Sequence, residues 1–322
     1  MTSKERVLRA VQMEGPDCVP LFFFNKDQDQ SDIIQTDIQK HFAGPNRDIS
    51  EWGFIWERKD ETMGQPKGHP LRSWEELDGF AGPAPNAPGR FDELREAIAA
   101  QADRFQVGGL SLSGFTTMTM LAGFENVLEG LYCEPEPVAR LADLVFGFEE
   151  ELIRRCAGLP LDGLPLDGIS FADDWGTQNN LIISPQLWRQ FFKPRYQRQF
   201  ELIHQQGMMV IFHCCGQIYE IIPDFIEIGV DVLNLSQPNL FDVAKMGRDF
   251  GGKACFMCPV SYQTTSISGT RDDIFNDVRN LVENLGCYNG GLIGYIEEYH
   301  SVGMSADNYQ ACIDAFRQLG RY

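Results

Sequence analysis

Apolar residues recur along this chain in two alternating rhythms. Short unbroken apolar runs, the mark of strands buried on both faces, are separated by stretches with apolar residues at helical spacing. The strand candidates begin at Cys18 (CVPLFFF), Gly53, Phe105 (FQVGGLSL), Gly168 (GISFADD), Met208 (MMVIFHCCG), Val230 (VDVLNL), Ala254 (ACFMCPV) and Gly290 (GGLIGYI). Between them lie helix candidates. Residues 3–13 place Val7, Leu8 and Val11 on one face behind a Thr2 or Ser3 cap and read as a lid helix. Helical patterns also cover 91–102, 124–131, 137–158, 219–228, 272–285 and 306–319. Ser184 and Pro185 open a helix that Pro194 should split before 196–206. Strand and helix alternate as they do when parallel strands are joined by crossover helices, and eight strands predict a closed (β/α)8 TIM barrel rather than a doubly wound sheet. Residues 1–322 read as a single domain in which 26–89, polar and rich in Pro, Gly and Asp, form an elaborated connection after an N-terminal helix.

Chemistry gathers where these runs end. The run 208–216 finishes in His213, Cys214, Cys215 and Gly216. Side chains alternate along a strand, so His213 and Cys215 point the same way and are able to grip one ion. An imidazole and a thiolate suit zinc, which needs three or four ligands. Alone, an HxC is more often a satisfied histidine beside buried thiols that pack as small hydrophobes; its place at a strand's carboxyl end shifts the balance toward a site. The last run ends in Glu297, Glu298, Tyr299 and His300, a second source of ligands and acid–base groups. Asp173, Asp174 and Trp175 follow the 168–174 strand as a polar cluster where barrel enzymes hold their chemistry, although Asp also caps loops through nearby backbone N–H groups. Asn25, Asn234 and Gln237 stand at further strand ends and join the candidates, whereas His69, in the loop MGQPKGHP, reads as a turn histidine.

Composition narrows the partners. The 322 residues are long enough for one barrel with a sizeable core, and 43% of them are hydrophobic. Lys and Arg number 27 against 46 Asp and Glu, a net charge of -19, which argues against nucleic acid and against an anionic membrane surface. Nine cysteines without regular spacing predict free thiols in a reducing cytoplasm. No run is long and apolar enough to span a bilayer.

The segments SKERVLRAVQMEGPDCVPLFF, FADDWGTQ, SPQLWRQFFKPRY, HCCGQIYEIIPDFIEIGVDVLN and GGLI followed by SADNYQACIDAFRQLG resemble the uroporphyrinogen decarboxylase superfamily over nearly the whole chain. The resemblance implies a (β/α)8 barrel and two chemistries. One is cofactor-free decarboxylation of porphyrinogens; the other is zinc-dependent methyl transfer involving corrinoid proteins. The decarboxylases carry an arginine-rich segment after the first strand, where this chain has Phe24-Asn25-Lys26-Asp27-Gln28. The methyltransferases carry HxC at a strand end, matched by His213 and Cys215. Their last ligand is typically a cysteine, and Glu298 stands in that position here, which makes the ion harder and favours oxygen- or nitrogen-containing methyl donors over thiol activation. Gln237, 22 residues beyond Cys215, has the spacing of a carboxylate ligand in the related cobalamin-independent methionine synthase.

The resemblance therefore implies zinc on His213, Cys215 and Glu298, with Asp173 or Asp174 as proton donor or acceptor and Tyr299 and His300 as the next acid–base groups. Asn25, Trp175, Asn234 and Gln237 would contact a small methylated substrate. Methylcobalamin or another corrinoid would come on a separate corrinoid protein, since this chain shows no cobalamin module, and a homodimer is compatible with the family. The alternatives are a metal-free decarboxylase of a smaller acid, with Asp173 or Asp174 stabilising its protonated intermediate, and a non-catalytic binding protein on the same barrel.

Overall fold

A computed structural model describes residues 1–24, 26–39, 49–57, 65–157, 166–297 and 303–322. Eight parallel strands form a nearly closed barrel surrounded by helices. They are β1 (Leu21–Phe23), β2 (Ile33–Asp37), β5 (Phe105–Leu110), β6 (Gly168–Ala172), β7 (Met209–Cys214), β8 (Val232–Leu235), β9 (Cys255–Pro259) and β10 (Leu292–Ile296). Hydrogen-bonded order runs β1-β10-β9-β8-β7-β6-β5-β2, so the seam falls between β1 and β2. Side chains close that seam where the ladder does not. Asp32 Oδ2 accepts from Leu21 N at 2.8 Å, Ser31 Oγ accepts from Phe23 N at 3.1 Å, and Asp32 N donates to Leu21 O at 2.8 Å.

Seven of the eight barrel strands begin where the apolar runs place them, to within a few residues. The second does not, and the strand expected from Gly53 is corrected. The second barrel strand is β2, inside the stretch read as connection. It reads IIQTD because its upper half lines the polar mouth: Gln35 and Asp37 lean over Gly109, where a Cβ would come within 2.6 Å of Asp37 Oδ1. The apolar signal near Gly53 has another origin. Trp52 and Phe54 are buried, Trp52 with its ring 5.0 Å from that of Phe148, while β3 (Ile55–Glu57) pairs antiparallel with β4 (Gln65–Gly68) outside the barrel.

Alternation along β7 orients the site. Ile211 belongs to the cluster filling the lumen with Phe22, Phe105, Val107, Val232 and Met257, whereas Val210, Phe212 and Cys214 pack outward against the helices. The next inward positions are His213 and Cys215. At the opposite, N-terminal end of the strands, helix Ser3–Gln12 closes the barrel as a plug, with Val7 and Val11 in the lumen cluster; Gly291 N donates to Ala10 O at 2.8 Å. The helix thus seals the floor and does not act as a lid. As expected, the segment around Pro194 is split: helices Pro185–Phe191 and Lys193–Gln205 meet at Phe192. Their Trp188, Tyr196 and Phe200 pack edge-on or tilted against Trp175, Phe212 and Phe225 in an aromatic core behind β6 and β7.

Candidate metal centre

His213, Cys215 and Asp174 converge at the C-terminal mouth of the barrel. Cys215 Sγ lies 3.6 Å from His213 Nε2, and Asp174 Oδ1 lies 3.9 Å from the same nitrogen. One donor atom from each residue falls within 4.8 Å of the others. Zinc bonds of about 2.0–2.3 Å at tetrahedral angles separate ligand atoms by roughly 3.3–3.6 Å. The two separations from His213 Nε2, 3.6 and 3.9 Å, lie within tenths of an ångström of that range, so the three groups fit a zinc ion after small side-chain adjustments. Two further contacts orient the donors. Ser236 Oγ sits 3.3 Å from His213 Nδ1, which leaves Nε2 facing the other ligands. Cys215 N donates to Asp174 Oδ1 at 2.7 Å, tying the two strand ends together. Burial, reinforced by the Asp174 carboxylate, pushes the Cys215 thiol up to about 12, so without a cation the sulfur is protonated.

The adjacent carboxylates divide their work. Asp174 follows the inward face. Asp173 points the other way and is 1% exposed, and it is corrected from a proton-transfer group in the open site to a buried acceptor. Its Oδ2 accepts from Phe115 N at 2.9 Å and from the Tyr196 hydroxyl; its Oδ1 accepts from Thr116 N at 2.7 Å and Thr116 Oγ1 at 2.8 Å. Burial raises this carboxyl to about 7 despite those donors. Trp175 is likewise corrected as a substrate contact. It is wholly buried, stacked on Phe115 at 4.5 Å, and its indole N–H donates to Tyr196 Oη at 3.1 Å.

Asn234 pairs in register with His213 on the neighbouring strand and shares its inward face. It is 7% exposed, and its Oδ1 has no hydrogen-bond partner among the described residues. An orphaned amide beside a ligand cluster is open to a bound molecule. Gln237 is turned to the backbone, where its Oε1 accepts from Gly216 N at 2.8 Å. Asn25, Glu298, Tyr299 and His300 lie outside the described residues.

Three residues at the mouth escape a reading based on motifs, Ser236, Tyr262 and Tyr295, and they stand with Glu297 from the end of the last apolar run. The signal for Glu297 was the strand period, since Ile293, Tyr295 and Glu297 alternate on the lumen side. Tyr295 Oη donates to Glu297 Oε2 at 3.1 Å. Burial holds the Tyr262 hydroxyl well above its ordinary value, with the thiol of Cys215 and the carboxylates of Glu297 and Asp174 adding to the rise.

Gly176 and Gly216 hold the β6 and β7 loops in contact. Gly216 has φ +79°, and a Cβ there would fall on the backbone of Gly176. Gly216→Ala should therefore part the two loops that carry Asp174 and Cys215. We expect it to weaken zinc binding by at least about tenfold, as supporting-residue changes do at metal sites, checked by titration against a chromogenic chelator. An affinity equal to wild type would show that the loops tolerate separation.

The site stands on a chain whose residues 59–318 match the model of the family Uroporphyrinogen decarboxylase (URO-D). The chain belongs to this family. Among solved structures, a methyltransferase from Methanosarcina mazei superposes with a TM-score of 0.71 over 99% of both chains at 17% identity. A D-psicose 3-epimerase matches with a TM-score of 0.43 and 12% identity, over 76% of this chain and 85% of its own. No curated protein matches the sequence. The first superposition extends the barrel fold over the whole URO-D chain; the metal ligands rest on the geometry above.

Proposed function

We propose that this URO-D family protein is a zinc-dependent methyltransferase that exchanges a methyl group between a small methylated substrate and a corrinoid protein. The observation that carries this reading is the convergence of Asp174, His213 and Cys215 at the barrel's C-terminal mouth. These three would hold zinc, with Glu298 as a further proposed ligand in place of the family's cysteine. Zinc would supply Lewis acidity to the substrate atom that loses or gains the methyl. The chain's own residues do the rest. Asn234 offers its unpaired amide to orient the substrate, and the lumen cluster beneath it excludes water. As a ligand, Asp174 is committed to the ion, so proton transfer falls to the Tyr295–Glu297 pair and to Tyr299 and His300. The corrinoid partner would dock over the open mouth, in the cytoplasm, and the acidic chain would bind neither nucleic acid nor membrane. Among the described residues, no helix is long and apolar enough to cross a membrane.

Decarboxylation of a smaller acid is the second reading, favoured by the family's name. It calls for cations to hold substrate carboxylates, and none of the eight barrel strands contains a Lys or Arg.

The deciding experiment is elemental mass spectrometry on protein purified without added metal, followed by incubation with cob(I)alamin and methyl ethers, methylamines or methyl thioethers. Near-stoichiometric zinc and spectral conversion to methylcobalamin are expected with one donor class. Protein that stays metal-free when zinc is supplied would overturn the reading and leave decarboxylation in front.

A further inference from the structure

The metal ligand Asp174 is held from behind by a chain of contacts that ends at a helix. Helix Gly114–Ala122 starts just past β5, and its first N–H groups are taken by buried carboxylates: Gly114 N by Glu149 at 2.8 Å, Phe115 N and Thr116 N by Asp173 at 2.9 and 2.7 Å. Thr116 Oγ1 uses both of its hydrogen-bonding roles. It donates to Asp173 Oδ1 at 2.8 Å and accepts from the backbone N–H of Asp174 at 3.2 Å. Asp174 in turn receives Cys215 N on its carboxylate. One hydroxyl thereby links the helix start, the buried carboxylate and the metal ligand.

We propose that Thr116, anchored by Asp173, is a positioning residue that sets the geometry of the Asp174 carboxylate at the metal centre. Neither side chain contributes an atom to the ligand cluster. Asp174 is half exposed at the mouth, and a carboxylate on such a loop end samples several rotamers unless its backbone is fixed. Groups that orient ligands from behind typically change metal affinity 10- to 100-fold, that is by about one to two orders of magnitude, when they are removed.

This inference rests on the proposed metal reading, and the experiment separates the two. Thr116→Val keeps the shape and removes both hydrogen bonds; Thr116→Ser keeps both. Zinc titration against a chromogenic chelator should show affinity lowered about tenfold or more in Thr116→Val and held within about twofold in Thr116→Ser. Hydrogen exchange on the metal-free proteins gives a second readout. The Asp174 and Cys215 amides should exchange at least about tenfold faster in Thr116→Val than in wild type or Thr116→Ser. Wild-type protein that binds no zinc would sink the metal reading alone, because the exchange data still decide the positioning role. Unchanged exchange in Thr116→Val overturns the proposal, as does unchanged affinity with only a lower melting temperature.

Discussion

Cys215→Ala is expected to lower zinc affinity by about two to three orders of magnitude while the barrel stays folded. Structural zinc sites draw about 10–16 kcal/mol from their ligand sets, so an equal share for one ligand of three or four is roughly 2.5–5 kcal/mol, a span that includes two to three orders of magnitude. Folding is spared because Cys215 is only partly buried and its sulfur touches the site, whereas the buried neighbour Cys214 accepts Trp175 N in the core. Chelator competition reads the loss directly, and methyl transfer should fall at least about a hundredfold with it. The same titration carries a pH signature. The metal-free thiol ionises near 12, so between pH 6 and 9 each zinc bound must displace its proton, and higher pH favours binding. From this group alone the wild-type affinity rises about tenfold per pH unit, a dependence that disappears in Cys215→Ala. Asp174→Ala and Glu298→Ala belong in the same series. A loss in Asp174→Ala as large as that of Cys215→Ala assigns Asp174 to the ligand set. Wild-type affinity in Asp174→Ala with a loss in Glu298→Ala would restore the set expected from the family resemblance.

What the sequence conveyed depends on which face each residue takes. The barrel was readable because strands buried on both faces are apolar throughout, and the HxC was readable because period-two alternation puts His213 and Cys215 on one face. The same alternation separates Asp173 from Asp174, yet the adjacent pair looks alike in a sequence. Only the position of helix Gly114–Ala122, 58 residues away by the Phe115–Asp173 bond, shows which of the two is buried. Trp175 stood beside charged residues and looked like a site residue, but its neighbours Phe115, Phe192 and Tyr196 come from other elements. β2 was missed because a strand whose upper half lines a polar mouth has no continuous apolar run. Ser236 was missed because a serine two residues past Asn234 carries no motif; it matters only because β8 lies beside β7.

Glu149→Gln should make the protein more stable than wild type above pH 8 and remove the part of its pH dependence that Glu149 contributes between about 4.5 and 8. Glu149 lies on the long helix after β5 and is wholly buried, and burial raises its carboxyl from 4.5 to about 8 against the pull of Gln199 and Gly114 N. The unfolded chain releases that proton near 4.5. Between the two values the native state holds one more proton than the unfolded state, so the contribution to stability is full below about 4.5 and is lost as pH rises toward 8. The slope from this group is about 1.4 kcal/mol per pH unit, and no further loss follows once the native carboxyl has ionised. Asp173 acts in the same direction up to about 7. Glutamine removes the titration and keeps the contact to Gly114 N. Its Oε1 accepts from Gly114 N as Glu149 Oε1 does at 2.8 Å. Gln199 Nε2, which now donates to Glu149 Oε2 at 2.7 Å, must turn away so that the new amide donates instead to Gln199 Oε1, which now has no partner. Urea unfolding at pH 6, 7, 8 and 9 measures the difference. The difference between the two proteins should grow by about 2 kcal/mol from pH 6 to pH 8 and stay constant above that. Parallel profiles would mean that Glu149 is ionised throughout, stabilised as an anion by the start of helix Gly114–Ala122.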